Sequence, residues 1–466
     1  MSGSQLPRGW ADIRLGDLVV PRSERVDPSA APDAPYIGLE HVEPQSNKLL
    51  ATVRAGSMSS SAARFMAGDV LYGRMRPYLN KVVRPRFDGL ASAEFVVIPP
   101  GPAVDNEFLL RRISASDFVA FACGQYEGDR PRVKFEQLAN FPILLPPYSE
   151  QGRIAEHLDG LLAGLDDATA ELAAARRKLT LYRQSLLKSA VEGTLTAEWR
   201  GQQSQTATAE PASACEGWTV IPSSWRWSSA ALHCGFITKG TTPPKSLSGK
   251  GSRCVPFLRV TNLTHDGSLN FSDQVFVAED VHCKFLARSV VKPGDVLMNI
   301  VGPPLGQVSL VPLTFPEWNV NQAIAIFRVQ PGLLNEFLAY VLLSPGAGRW
   351  LQARAKTTAG QTNLTLEVCR ALPLPIPPLA EQAVIVRLLN QQLDSLAEQG
   401  KAIEQALAMA AAQRQNILRS AFSGQLVPQD PNDEPANVLL ERIRAQKIAA
   451  TPAAKRKPGR RAKATA

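Results

Sequence analysis

Leu145–Gln151 reads LPPYSEQ, and Ile376–Gln382 reads IPPLAEQ, the two Glu-Gln pairs being 231 residues apart. The match continues without a gap on the C-terminal side. Arg183 and Gln184 fall on Arg414 and Gln415, while Leu187, Ser189, Ala190, Gly193 and Leu195 fall on Leu418, Ser420, Ala421, Gly424 and Leu426. Chance does not hold register over about fifty residues, so the chain is an internal duplication. Upstream the copies agree only in outline. Pro7-Arg-Gly-Trp10 resembles Pro222-Ser-Ser-Trp225, Gly68-Asp-Val-Leu71 resembles Gly294-Asp-Val-Leu297, and Asn106-Glu-Phe-Leu109 resembles Asn335-Glu-Phe-Leu338. These pairs are offset by 215, 226 and 229 residues, so insertions have accumulated there. Each copy is a divergent module followed by a segment of fixed length.

The fixed-length segment reads as a helix. From Ile154 a 4-3-4-3 spacing selects Leu158, Leu161, Leu165, Ala168, Leu172, Ala175, Leu179, Tyr182 and Leu186, the pattern of a coiled-coil seam. The second copy gives Ile385, Leu389, Gln392, Leu396, Gln399, Ile403, Ala406, Ala410, Gln413 and Ile417, widened by Leu393 and Leu407. Pro146-Pro147 keep the chain extended, Ser149 is the expected N-cap and Gly193 the expected stop. Some forty helical residues give a rod of about 60 Å. Two rods that each bare an apolar stripe are expected to pack on each other.

The chain has 466 residues, 45% of them hydrophobic, enough for several cores. No apolar run is long enough for a membrane span, and the N-terminus lacks a secretion pattern, so a cytoplasmic protein is expected. Six cysteines without a C-x-x-C pair read as reduced thiols. The net charge of +9 falls mainly on residues 217–379 and on the basic tail from Pro452, which points to a polyanionic partner. The expected fold class is α+β or mixed α/β. Module one spans 1–148, a spacer helix 149–196, a linker 197–216, module two 217–379, a second spacer helix 380–427, and a C-terminal segment with a basic tail 428–466. Strands are expected around Asp69–Tyr72, Ser92–Pro99, Asp295–Val301 and Gln322–Val329, and helices at Asn106–Phe121 and Asn335–Ala355.

Catalytic patterns are missing from the sequence. Gly249-Lys-Gly-Ser252 lacks the Ser or Thr that a phosphate loop places after its lysine, and Leu145-Pro-Pro-Tyr148 lacks the amide or acid of an amino-methyltransferase motif. The five histidines are scattered, so no metal is expected. The modules instead carry groups suited to nucleic acid. Module one offers Arg74, Arg76, Tyr78, Asn80 and Lys81 in GRMRPYLNK, with Arg130, Arg132 and Lys134 further on. Module two offers Lys239, Thr241, Thr242 and Lys245, then Arg259, Asn262 and Asn299, then Asn319, Asn321, Gln361 and Asn363. Arginine suits guanine O6/N7 and phosphate; Asn and Gln suit adenine N6/N7. For any single residue, a solvated loop or a capped turn is the plainer role.

With the doubled P-P-x-x-E-Q, GRMRPYLNK and the Leu440–Lys447 stretch LERIRAQK, the chain resembles the specificity subunit of type I restriction–modification systems over essentially its whole length. Residues 360–364 keep that family's Gly-Gln-x-Asn-Leu, where module one has Asp129–Val133. The resemblance implies two target-recognition domains, each reading one half of a split, asymmetric double-stranded DNA site. The helices are then an antiparallel pair, related by a pseudo-twofold, that sets the gap. It also implies two methyltransferase subunits carrying S-adenosylmethionine, and restriction–motor subunits bringing ATP and Mg²⁺. The assembled complex would be an adenine-N6 methyltransferase and ATP-dependent endonuclease. This chain itself would bind no cofactor and catalyse nothing. Methyltransferase docking is expected around Glu150, Gln151, Arg183 and Gln184, with Glu381, Gln382, Arg414 and Gln415; helix-start capping is the other role open to the Glu-Gln pairs. A subunit of a restriction system that cuts differently, and a coiled-coil scaffold without a DNA role, are the competing readings.

Overall fold

The computed structural model describes residues 6–126, 131–203, 218, 220–243, 254–264, 266–358 and 361–450. The chain forms two compact units, Met1–Leu172 with Gln405–Ala466, and Ala173–Glu404. The two long helices run Tyr148–Val191 and Leu379–Phe422, each 44 residues. Each unit therefore holds one sheet-rich module, the start of the helix that follows it, and the end of the other helix.

In the first unit, Ala11–Arg14 pairs antiparallel with Pro142–Leu145, so the module's beginning and end share one ribbon beside the helix start. A five-stranded sheet runs in the order Arg25–Val26, Ala62–Phe65, Gly89–Ser92, Pro35–Ile37 and Val53–Arg54. A three-stranded sheet runs Val82–Val83, Val70–Gly73 and Phe95–Ile98. The second unit repeats the plan. Arg226–Ser229 pairs with Pro373–Ile376. A four-stranded sheet orders Cys234–Lys239, Ile324–Val329, Val296–Asn299 and Val308–Leu310; another orders Val275–Ala278, Cys254–Leu258 and Asn319–Val320. Among the described residues each unit has one parallel pairing, Tyr36 opposite Leu90 and Phe257 opposite Asn319. The content is mixed α/β.

The motifs shared by the modules are the joints of this plan. Buried Asp69 accepts from Arg22 Nε and Nη2 at 2.7 and 3.1 Å and from the Met66 amide; buried Asp295 accepts from Arg328 at 2.8 and 2.7 Å and from the Lys292 amide. Asn106 Nδ2 donates to Gly68 O at 2.7 Å. The expected helices appear, each broken in two. Asn106–Ile113 is followed by Ser116–Cys123, and Asn335–Leu343 by Pro345–Arg354, where Ser344 caps and Pro345 takes the first turn.

Both long helices begin one residue earlier than the expected Ser149 cap. Pro147 O and Pro378 O accept the Gln151 and Gln382 amides at 3.0 Å, so the second proline is the cap and Ser149 lies inside the first turn. Gly193 and Gly424 end the helices at φ +82° and +75°, where a Cβ would strain the backbone. A Cβ there would also reach within 2.5 Å of Pro222 and 2.7 Å of Pro7 respectively. Each helix end thus abuts the first residues of a module in its unit.

The helices pair antiparallel within each unit. Arg414 meets Asp166 at 2.8 Å in the first, and Arg176 meets Glu404 at 3.3 Å in the second. The strict heptad seam expected from the sequence is corrected. Leu162 is 4% exposed while Leu161 is 38% and Tyr182 53% exposed. The buried or half-buried row runs 154, 158, 162, 165, 169, 172, 179, 183, 186, 190, and its image 231 residues on does the same. That is the 3.6-residue period of straight helices, which drifts about 20° per heptad from a 3.5 repeat.

Candidate nucleic-acid interface

The repeated Glu-Gln pairs occupy the same chemistry in both units. Gln151 accepts the Asp105 amide at 2.8 Å and donates to Ala103 O and Pro146 O at 3.1 and 3.0 Å. Gln382 accepts the Leu334 amide at 2.9 Å and donates to Gly332 O and Pro377 O at 3.0 Å each. Glu150 accepts Trp10 Nε1 at 3.1 Å, and Glu381 accepts Trp225 Nε1 at 2.9 Å. All four are buried, which removes Glu150, Gln151, Glu381 and Gln382 from any docking face. Arg183 and Arg414 are corrected too, being half-buried on the inner row. Arg183 donates to Asp266 O at 2.8 Å, and Arg414 pairs with Asp166. Gln184 and Gln415 alone of the eight stay exposed.

In the first module, GRMRPYLNK and the Arg132–Lys134 stretch, 51 residues apart at their nearest ends, are brought together. Met75 bridges Arg132, the Arg76 amide donates to Pro131 O at 2.8 Å, and the Val133 amide donates to Arg74 O at 3.0 Å. Arg76 is held at φ +51°, a conformation that non-glycine residues adopt rarely, with Pro77 beginning a short turn. Arg76, Tyr78, Arg132 and Lys134 are exposed and Arg74 is half-buried. Glu94, which sequence reasoning passed over, sits between two of these cations, 2.9 Å from Arg132 and 3.6 Å from Arg74. Burial and the neighbouring Arg132 push the Arg74 guanidinium below its usual range. Asn80 is corrected from base reader to brace, since it is buried at φ +47° and donates to Ser114 O at 2.8 Å. Lys81 likewise donates its ammonium to Leu39 O at 2.6 Å. Arg130 lies outside the described residues.

The second module gathers fewer of its candidates. Asn262, Asn299 and Asn319 are buried and withdrawn as base readers. Asn262 accepts the Arg259 amide and donates to Asn270 O at 2.9 Å; Asn299 accepts the Val301 amide and donates to Pro304 O; Asn319 meets His282 Nδ1 at 2.8 Å. Arg259 is tied to Asp273. Lys239 and Thr242 are exposed at the end of Cys234–Lys239 and beyond, with Thr241 and Asn321 half-buried beside them. Gln361 and Asn363 lie on one strand, with Asn363 opposite Val301. Lys245 lies outside the described residues. Among the described residues no group of three or more His, Cys, Asp or Glu could hold a metal ion, and no helix is long and apolar enough to cross a membrane.

Comparison with known proteins gives these features a family. Residues 236–407 match the type I restriction modification DNA specificity domain. The specificity subunit of the type I restriction enzyme EcoBI of Escherichia coli is 30% identical over 321 residues, covering 66% of this chain and 64% of that one. The EcoDI specificity subunit of the same species is 25% identical over 470 residues, covering 96% of this chain and 98% of that one. The chain is similar to the type I restriction–modification specificity subunits along its length, and its residues 236–407 carry the match to their DNA specificity domain. It spans just under two thirds of the EcoBI subunit's length and nearly all of the EcoDI subunit's. The HsdS subunit from Thermoanaerobacter tengcongensis is similar in structure, with a TM-score of 0.50 at 25% identity over 91% of this chain and 99% of that one. A chain from a structure of type I R-M complex assembly and conformational transition shares the fold at a TM-score of 0.70, with 23% identity over 91% of this chain and all of that one. The specificity domain matched in this family takes in most of the second module and much of the second long helix.

Proposed function

We propose that this cytoplasmic chain supplies the DNA sequence specificity of a type I restriction–modification complex and carries out no reaction itself. Each module reads one half of a split double-stranded site. Module one presents Arg74, Arg76, Tyr78, Arg132 and Lys134; module two presents Lys239, Thr241, Thr242, Asn321 and Asn363, with Gln361 on the same strand as Asn363. The paired helices fix the gap between the halves. Their exposed faces, with Gln184 and Gln415, dock two methyltransferase subunits that bring S-adenosylmethionine, and restriction subunits bring ATP and Mg²⁺. The observation that carries this reading is the contrast between the copies. At their helix starts the Gln hydrogen bonds and the Trp–Glu hydrogen bond repeat, while the loops that gather exposed cations and amides differ. A spacer must keep its length, whereas a reader is free to change.

The test is duplex binding by the full chain across a salt series. Affinity is expected to fall linearly on a log–log plot, and Arg76→Ala to reduce the slope by about one if it meets a phosphate. No binding to any duplex at low salt would leave the coiled-coil scaffold as the better reading.

A further inference from the structure

At one place the two modules share a backbone and differ in every side chain. The Arg74 amide donates to Glu94 O at 2.9 Å, and the Ile300 amide to Ala323 O at 2.8 Å. The Val133 amide donates to Arg74 O at 3.0 Å, and the Leu364 amide to Ile300 O at 2.9 Å. Met75 pairs antiparallel with Arg132, as Val301 does with Asn363. So Arg74, Glu94 and Arg132 occupy the positions of Ile300, Ala323 and Asn363. A fold-holding cluster would persist through duplication, as the Asp69 and Asp295 staples and the Glu-Gln pairs have done. This one was exchanged from three charges to an alkyl, a methyl and an amide.

The charged version is also unfinished as a structural cluster. Glu94 Oε1 holds Arg132 at 2.9 Å, while Glu94 Oε2 and Arg74 Nε, both buried, face each other as an ion pair at 3.6 Å, too far for a hydrogen bond. The Arg132 side chain is 51% exposed, so its planar fork is held on one side and open on the other. Arg25 adds its charge to Arg74, leaving cations in excess over the single acid.

We infer that Arg132 is a guanine reader of the first module and that Glu94 is the positioning residue holding its guanidinium in the reading orientation. The neutral Ile300–Ala323–Asn363 set gives the second module a different preference at the equivalent place. This rests on the DNA reading above. An arginine pre-oriented by a carboxylate loses less rotamer freedom on meeting O6 and N7 of guanine, and it disfavours a base that cannot accept both bonds.

The test selects bound duplexes from a randomised pool with the full chain and its Glu94→Ala, Glu94→Gln and Arg132→Ala variants, followed by sequencing. The unaltered chain is expected to enrich two blocks at a fixed gap. Glu94→Ala and Arg132→Ala should relax one G·C pair in a single block, on the order of 10- to 100-fold, and leave the other block intact. Glu94→Gln, which keeps one acceptor, should relax it less. Glu94→Ala should also keep or strengthen unselective binding at low salt, because an acid has left a cationic face. Unchanged enrichment in the variants, or loss of both blocks together, overturns the inference, the second outcome marking a structural role. If the unaltered chain enriches no block, the DNA reading itself fails and this inference with it.

Discussion

Glu381→Gln separates a buried acceptor from a docking handle. The carboxylate takes Trp225 Nε1 at 2.9 Å, Thr196 Oγ1 at 2.7 Å and the Arg200 guanidinium, and it is 1% exposed. A Gln offers one oxygen and turns an NH₂ toward the other donors. Removing one member of a buried ionic cluster costs about 3–5 kcal/mol, and with the Arg200 side chain 18% exposed the lower figure applies. For a unit the size of Ala173–Glu404, about 3 kcal/mol corresponds to roughly 6–12 °C in melting temperature. Glu150→Gln is the matched control. Among the described residues Glu150 accepts only Trp10 Nε1 and its second oxygen has no hydrogen-bond partner, and burial raises its pKa. A carboxyl whose folded pKa is raised costs nothing while protonated in both states; the cost grows as the pH rises above its unfolded pKa and is complete once the pH passes the raised value. Glu150→Gln should therefore leave the first unit at least as stable at pH 7. The unaltered first unit should lose stability relative to that variant as pH rises from the usual carboxyl range through the raised value. Calorimetry of both full-length variants measures this. A Glu150→Gln loss equal to that of Glu381→Gln would refute the assignment.

Gly294→Ala should destabilise the second unit by more than 1 kcal/mol beyond Gly306→Ala. Both sit at positive φ, +83° and +77°, but only at Gly294 does a Cβ meet a neighbour, Asn335 Nδ2 at 2.5 Å; chemical denaturation compares them. The module–helix contacts differ in kind between the units. Arg111 grips Asp159 through charges at 2.6 Å, whereas Tyr340 at the equivalent place donates to Asn390. Raising salt to 1 M should speed amide exchange around Asn106–Ile113 and leave Asn335–Leu343 unchanged. Equal responses would show that the ionic contact adds nothing.

The long helices were legible because a gapless repeat with a proline start and a glycine stop leaves little else. Their seam was misread because a 3.5 template was laid on helices that follow 3.6, which moved the inner position from Leu162 to Leu161 and hid the inward turn of Arg183 and Arg414. Asn262, Asn299 and Asn319 looked like base readers because an amide that satisfies a buried turn and one that meets a base are the same letter in the sequence. One signal was there to be used: Trp10 with Glu150 and Trp225 with Glu381 survive in both copies, which marks a buried pair. Glu94 had no such signal, since its meaning comes from two segments that meet only in the fold.

Single-molecule methylation sequencing of the host genome, with and without this gene, addresses the central claim most directly. The account predicts that deletion erases adenine methylation at one asymmetric two-part motif with a fixed gap, and that restoring the gene restores it. Methylation at such a motif that persists without the gene would contradict it.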